Sequence, residues 1–428
     1  MANRTTCVHC SIPLSRRARL GERGAGSGGG RLGALKSAFV ERREAVIVGS
    51  GPAGAATALR LAALAPELAA GMLLLDKARH PRDKTCAGGV IPKALRLLEE
   101  LGVPLAVPHA RVDAAGVAVP GRTLAVGGSD LCRVVRRREL DAALAWAARE
   151  RGVELREGER VVHLARDAAG VRVETDRRAY WAPVVVGADG SGSVVRRALV
   201  GDGAGAVARA VMCDVPLDET RWDGHAARRY EFDFTSCAAG LRGYRWAFPC
   251  VIDGVPHANV GVYALPPIDG ARLRAELAAE LARIGARPRA WKAFPVRTYA
   301  RGTRVAAPRA LLAGDAAGCD ALMGEGISFA LEYGMLAADA IVTARASGDW
   351  SFRHYARAVE RGPLGRKLRC LHLGTRLFYG PRQRFWFRLA AASVRAQAVG
   401  LAWYNGADGW DRGGTLATLA ALVGLRPL

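Results

Sequence analysis

Between Ala45 and Asp76 the chain has little choice of fold. The apolar run Ala45 to Val48 passes directly into Gly49-Ser-Gly51-Pro-Ala53-Gly54, and then into an alanine- and leucine-rich stretch that reads as a helix until Pro66 stops it. A second apolar run, Met72 to Leu75, ends in Asp76 and completes a strand, turn, helix, strand unit. In such a turn the first glycine permits the tight bend, the second admits a pyrophosphate, and the third lets helix and strand approach. The helix N-terminus then faces the phosphates. Asp76 lies where a carboxylate can accept hydrogen bonds from both ribose hydroxyls of an adenosine. A lone GxGxxG turn is weak evidence, but with these flanks and this acid it predicts a dinucleotide site.

At 428 residues the chain is too long for one ordinary core, so two packed domains and an appendage are expected. Residues 1–42, rich in Arg, Gly and Ser, read as a flexible basic leader, with ordered structure expected from Ala45. Residues Glu139 to Arg151 read as an amphipathic helix, and Val153 to Leu155, Val171 to Thr175 and Val184 to Val186 as strands. From about 205 to 300, short alternating runs such as Arg229 to Phe234 and Asn259 to Tyr263 suggest an antiparallel sheet. Parallel character returns at Ala310 to Leu312 and feeds a long helix from Gly326 to about Ala344, beyond which the tail is helical, aromatic and basic. The expected architecture is α/β. A discontinuous Rossmann-type domain (43–110, 132–204 and 301–345) carries an inserted antiparallel-sheet substrate domain (111–131 and 205–300) and a helical C-terminal region (346–428).

A formal charge of +22 admits anionic partners, whether nucleic acid, phosphorylated small molecules or an acidic leaflet, and cannot choose among them. A nucleic-acid-binding protein would rest on charge alone and would leave the glycine turns unexplained, so no nucleic-acid partner is expected. No window reads as apolar and uncharged over the length of a membrane span. The best candidate, Leu59 to Leu75, is broken by Arg60, Pro66 and Glu67. Nine cysteines without disulfide-framework spacing point to a reducing compartment, and the expected location is the cytoplasm. Cys7 and Cys10 have the spacing of half a zinc site, but no second such pair follows and no metal is expected.

Two further turns decide the dinucleotide. Val184 to Gly192 closes a buried strand with Asp189-Gly190, and Gly314-Asp315-Ala-Ala-Gly318 follows the strand at Ala310. A simple nicotinamide domain would not need them. Here the sequence resembles the flavoprotein superfamily of aromatic hydroxylases, flavin-dependent halogenases and geranylgeranyl reductases. The resemblance implies FAD, with Asp315 contacting its ribityl-phosphate portion and Asp189 bracing the site. The helix after Gly326-Ile327 is placed so that its N-terminus can stabilise negative charge on the pyrimidine edge of a reduced flavin. Arg138 matches the superfamily arginine that reaches the cofactor, although it is also simply the last of three successive cations.

A narrower resemblance rests on two segments. Lys84-Thr-Cys86-Ala87-Gly88-Gly89-Val-Ile-Pro92-Lys93 is similar to the Cys-x-Gly-Gly segment of geranylgeranyl reductases, and Gly243-Tyr244-Arg-Trp246-Ala-Phe248-Pro249 to their Tyr-x-Trp-x-Phe-Pro segment. Cys250 departs from the basic residue usual after that proline, and the loop between Asp315 and Gly326 is short. The resemblance implies cofactor contacts from Gly49, Gly51, Ala53, Gly54, Asp76, Lys77, Cys86, Ala87, Gly89, Arg138, Val162, Asp189, Asp315, Gly326 and Ile327. It implies catalytic roles for Cys86, Tyr244 and Trp246, with Tyr244, Trp246 and Phe248 lining the substrate path. The same alternation would equally make the three aromatics core. The function so implied is reduction of isolated C=C bonds in a polyprenyl chain on a lipid, quinone or chlorophyll-like substrate. A monooxygenase or halogenase on the same frame is the alternative. Lys93 could serve as a halogenase lysine, but its place after Cys-Ala-Gly-Gly fits the reductase segment better.

No second strand-flanked GxGxxG is visible, so NAD(P)H, ferredoxin or a reduced quinone is expected to bind transiently or through an electron-donor protein. Phe378, Tyr379, Phe385, Trp386, Phe387, Trp403 and Tyr404, interleaved with arginines, suit the edge of an anionic bilayer, which would make the protein peripheral. A helical cap packing those aromatics inward is the alternative.

Overall fold

The computed structural model describes residues 39–287, 290–392, 397, 400–401 and 404–406. The pair Cys7 and Cys10 and Trp403 lie outside the described residues.

Proline at the first turn starts α1 (Pro52–Leu64), and ten of its residues are buried because both of its sides meet protein. It follows the strand Ala45–Val48, all four residues of which are buried. That strand pairs in parallel with Met72–Asp76 on one side and Val185–Gly187 on the other. Glu154–Glu157 and Ala310–Leu312 extend the parallel array outward, and the short Ala306–Ala307 closes one edge antiparallel. Strands buried on both faces read as continuous apolar runs, which is why the sequence marks them so plainly.

The remaining helices follow in chain order: α2 (Pro92–Glu100), α3 (Arg137–Glu150), α4 (Gly270–Arg283), α5 (Ile327–Ser347), α6 (Arg353–Arg361), α7 (Pro363–Phe378) and α8 (Gln383–Ala392). α1 and α5 cross in direct backbone contact: a Cβ on Gly334 would stand 2.3 Å from the carbonyl oxygen of Ala53. An eight-stranded sheet unites the hairpin His109–Val119 and Arg122–Val135 with strands drawn from 207–297 and with Gly89–Val90. Within it Gly243–Ile252 and Val255–Ala264 pair antiparallel over their full length.

Two expectations need correction. Val40–Arg42, inside the expected leader, is a strand paired in parallel with Ala179–Ala182 in a four-stranded sheet. The Arg42 guanidinium lies 4.8 Å from the Trp181 ring centroid. Three residues are too few to show alternation, and the partner is far along the chain, so local pattern could not reveal it. Secondly, α5 is long and apolar enough to cross a membrane by length and composition, a stretch that a scan for unbroken uncharged residues misses because it carries Glu332, Asp339 and Arg345. Most of its apolar window is buried against the rest of the fold.

Candidate active site

A cleft of about 560 Å³ lies at the carboxyl ends of the parallel strands, where an open α/β sheet binds ligands. Val48, Leu75, Ala188 and Gly314, each at or just past a strand end, line it. At its floor Gly49 has φ +100°, and a Cβ there would meet the Ala188 oxygen at 2.4 Å. Gly54 does not line the cleft; its Cβ would lie 1.8 Å from the Gly49 oxygen, the close helix-strand approach expected of the third glycine.

Asp76 sits between this turn and its own strand end. Ser50 donates to its Oδ2 from N at 3.1 Å and from Oγ at 2.7 Å, and the Ala78 N–H donates to its Oδ1 at 2.9 Å. Burial works against ionisation, but Arg82 and these hydrogen bonds outweigh it and hold the carboxyl below its ordinary pKa. A carboxylate with capacity left on Oδ1 therefore faces the cleft, where a ribose would need it.

Arg82 and Arg137 converge on the glycine turn. Arg137 makes a two-pronged contact with Asp141, Nε to Oδ1 at 2.7 Å and Nη2 to Oδ2 at 2.9 Å, and Arg82 Nη1 reaches the same Oδ2 at 3.2 Å. Both guanidinium groups would stand within 4 Å of a Cβ on Gly51. Burial opposes the charge on Arg137, but Asp141 and the Cys86 thiol more than restore it. Arg82 bridges Asp76 and Asp141 while Arg137 grips Asp141, so the two acids fix both guanidinium groups beside the pyrophosphate turn. Arg138, by contrast, is half exposed beside a separate crevice with Arg136 and Lys292. On a helix, neighbours are turned about 100° apart, so the inward position falls to Arg137, one residue before the expected one.

Asp189 accepts from Val194 N at 2.6 Å and so braces its turn, and burial pushes its carboxyl up. Its Oδ1 is buried without a partner and the residue lines the cleft. An orphaned acceptor there, glycines that a side chain would clash with, and cations at the turn all fit a bound FAD. Asp315, Gly326 and Ile327 stand opposite, with α5 starting at the cleft wall. Lys77, Cys86, Ala87, Gly89 and Ala53 also line it. Val162 does not: its side chain is 58% exposed, and Val161 takes the wall, because side chains alternate along the strand Val161–Arg166. Lys84 was missed as a candidate. Its ammonium lies 3.1 Å from the Phe294 ring centroid on the cleft wall, and burial pulls its pKa down to about 8.

Tyr244, Trp246 and Phe248 point from one face of their strand into this cleft and are also buried core, so the two readings of their alternation coincide. Trp246 donates from Nε1 to Asn259 Oδ1 at 2.8 Å, and its indole covers Gly261, where a Cβ would approach to 2.1 Å. The Tyr244 hydroxyl donates to the Met323 carbonyl. Behind these rings a second cavity of about 350 Å³ is walled by Val117, Leu124, Val126, Tyr230, Phe234, Leu322 and side chains of α7 and α8. Phe232, Met323, Glu325 and Tyr404 line both spaces.

Comparison with known proteins agrees with this geometry. Residues 42–332 match the family model described as an FAD binding domain. The chain belongs to that family. As a member of the FAD-binding domain family it is 31% identical over 356 residues to a menaquinone reductase of Mycolicibacterium smegmatis, covering 74% of this chain and 82% of the relative. It is 30% identical over 348 residues to a chloroplastic geranylgeranyl diphosphate reductase of Oryza sativa subsp. japonica, covering 76% and 71% respectively. A solved geranylgeranyl bacteriochlorophyll reductase-like protein from Thermoplasma acidophilum superposes with a TM-score of 0.68 at 20% identity, over 85% of this chain and 96% of that one. A flavin-dependent brominase gives 0.68 at 18%, over 90% and 98%. At such identities the structural likeness speaks for the fold alone. With reductases among its sequence relatives, this FAD-binding chain is an FAD-dependent oxidoreductase of the geranylgeranyl reductase group.

Proposed function

We propose that this flavoprotein saturates isolated C=C bonds of a polyprenyl chain carried by a lipid, quinone or chlorophyll-like molecule. The observation that carries the reading is the apolar cavity beside the flavin cleft, which shares Phe232, Met323, Glu325 and Tyr404 with it as wall. An unbranched aromatic substrate would need no such length of aliphatic wall, whereas a prenyl chain buries its methyl groups there. FAD supplies hydride when bound. The chain's own residues then hold the alkene against it, exclude water and supply a proton, because an isolated alkene accepts hydride only as positive charge builds on carbon. Tyr244, Trp246 and Phe248 present ring faces that stabilise such charge, and Cys86 positions the flavin. The reductant is NAD(P)H or another donor that binds transiently.

An anaerobic assay tests this. The flavin-loaded protein, reduced with dithionite, is given menaquinone with an unreduced side chain and, separately, geranylgeranyl diphosphate. Flavin reoxidation is expected, with two hydrogens gained in the prenyl chain itself, read for menaquinone after its ring has been returned to the quinone. Reoxidation only on admitting oxygen, with an oxygen atom gained, would transfer the protein to the monooxygenases. A halogenase reading draws on Lys93 in the cavity wall, but its ammonium is paired with Glu332 at 2.6 Å.

We also propose that α7 and α8 rest on an anionic bilayer. Tyr379 and Phe387 pack inward, while Leu373 and Phe385 are 53% and 57% exposed among Arg366, Arg369, Arg376, Arg382, Arg384 and Arg388. Apolar tips ringed by cations suit the headgroup boundary, and the same helices wall the apolar cavity. Substituting both Leu373→Glu and Phe385→Glu is expected to lower flotation with anionic vesicles by about tenfold or more, given ~1.5–3 kcal/mol per buried apolar side chain. Undiminished flotation would remove these helices as the contact.

A further inference from the structure

The wall of the apolar cavity contains a carboxyl group in an unexpected place. Asp320 is 2% exposed and lines a space otherwise formed largely by aliphatic and aromatic side chains. Its Oδ1 accepts from Leu322 N at 2.7 Å and its Oδ2 from Met323 N at 3.1 Å, so its own loop holds it in one orientation. That loop is in turn fastened from three sides. Tyr263 donates its hydroxyl proton to the Ala321 carbonyl at 3.1 Å, Tyr379 to that of Leu322 at 2.7 Å, and Tyr244 to that of Met323. The hydroxyl protons of these three tyrosines are therefore committed to backbone.

We propose that Asp320 is the acid that protonates the alkene, a role that rests on the prenyl-reductase reading. One alkene carbon receives a hydride, and with it two electrons, from the reduced flavin. The Asp320 O–H bond breaks, and its proton forms the new C–H bond at the other carbon as the π bond is consumed. The carboxylate left behind is stabilised by the Leu322 and Met323 N–H groups and regains its proton from solvent once product leaves.

The surroundings suit an acid used near neutrality. Burial pushes the Asp320 carboxyl up to about 7; the two backbone N–H groups oppose this, the neighbouring Glu325 adds to it, and Lys367 of α7 opposes it. Burial also raises Glu325, whose oxygens accept from Ser328 N and Oγ at 2.9 and 2.7 Å and which feels Lys93 of α2. Cys319, Tyr244, Tyr263 and Tyr379 also feel Asp320, and burial pushes each well above its ordinary value, so they stay neutral. The proton-bearing form of Asp320 is lost as pH rises through about 7, so alkene reduction falls on the alkaline side.

The test compares full-length wild-type and Asp320→Asn proteins, both loaded with FAD, on menaquinone with an unreduced side chain and on geranylgeranyl diphosphate. The variant is expected to bind and accept electrons from dithionite as wild type does, yet to reduce the alkene about a hundredfold more slowly or worse. In infrared difference spectra, the wild type is expected to show a protonated-carboxyl band that fades as pH rises through about 7 and is missing from the variant. A variant as fast as wild type, or one that keeps the band, overturns the proposal. Should the variant fail to hold flavin, the wild-type pH profile decides, and a rate that is level across neutrality rejects Asp320. If wild-type protein leaves both substrates unreduced, the prenyl-reductase reading itself falls, an outcome distinct from an active wild type matched by an active variant.

Discussion

Replacing Gly54 with valine will yield a protein that purifies without its flavin. The glycine stands where α1 leaves the phosphate turn, and any Cβ would lie 1.8 Å from the Gly49 oxygen and 3.2 Å from the Ala188 Cβ. Backbone cannot move aside as a flexible side chain would, so α1 must tilt away from the strand Ala45–Val48. Forced overpacking of this kind costs about 1–3 kcal/mol and occasionally more, equivalent to roughly ten- to hundredfold in affinity. Both ends of the loss fall on the cofactor, because the displaced helix end and Gly49 line its cleft or its floor. Flavin absorbance per chain, with thermal unfolding to confirm a folded body, measures the effect. Full flavin content in Gly54→Val would mean that the cofactor does not sit at this turn.

The second large effect is expected on the other side of the aromatic rings. Gly374 of α7 faces the apolar cavity, with Leu322 Cδ2 3.0 Å from the place a Cβ would take. Gly374→Phe pushes a ring into a space of about 350 Å³ that has few polar atoms to lose. Flavin content and dithionite reduction should remain as in wild type, since the cleft is untouched. Turnover of a polyprenyl substrate should fall on the order of a hundredfold, the penalty typical when a reacting bond is held even slightly out of place. Equal turnover by the two proteins would show that the prenyl chain lies elsewhere.

How much of this site could be read in advance depended on how locally each part is encoded. The strand, glycine turn and helix at Ala45 to Leu64 carry their own start and stop signals, and Asp76 follows at the end of an uninterrupted apolar run. Asp189 and Asp315 were legible for the same reason: each terminates a buried strand within a few residues. The choice between Arg137 and Arg138 was not, because it turns on the rotational phase of α3, and the deciding partner Asp141 is buried only once α1 packs against that helix. Arg82 gave no pattern of its own; its meaning comes from sharing Asp141. Val161 and Val162 illustrate the same limit on a strand, where one residue of phase separates the wall from solvent. The apolar cavity was the least legible of all. Its walls come from the hairpin His109–Val135, from the loop at Asp320 to Met323 and from α7 and α8, which no local window contains together.

The crossing of α1 and α5 acts as a gauge. Both helices begin at the cleft, and Gly334, with no side chain of its own, lets them close on each other, with a Cβ at that position 2.3 Å from the Ala53 oxygen and 2.8 Å from the Ala56 Cβ. A spacing set by a missing side chain leaves drift little to retune, since any Cβ at Gly334 would force the helices apart. The hairpin and the C-terminal helices, which do not share that contact, are free to change shape while the gauge stays at one setting. A lineage could therefore lengthen, shorten or re-aim the substrate chamber residue by residue without recalibrating the cofactor seat.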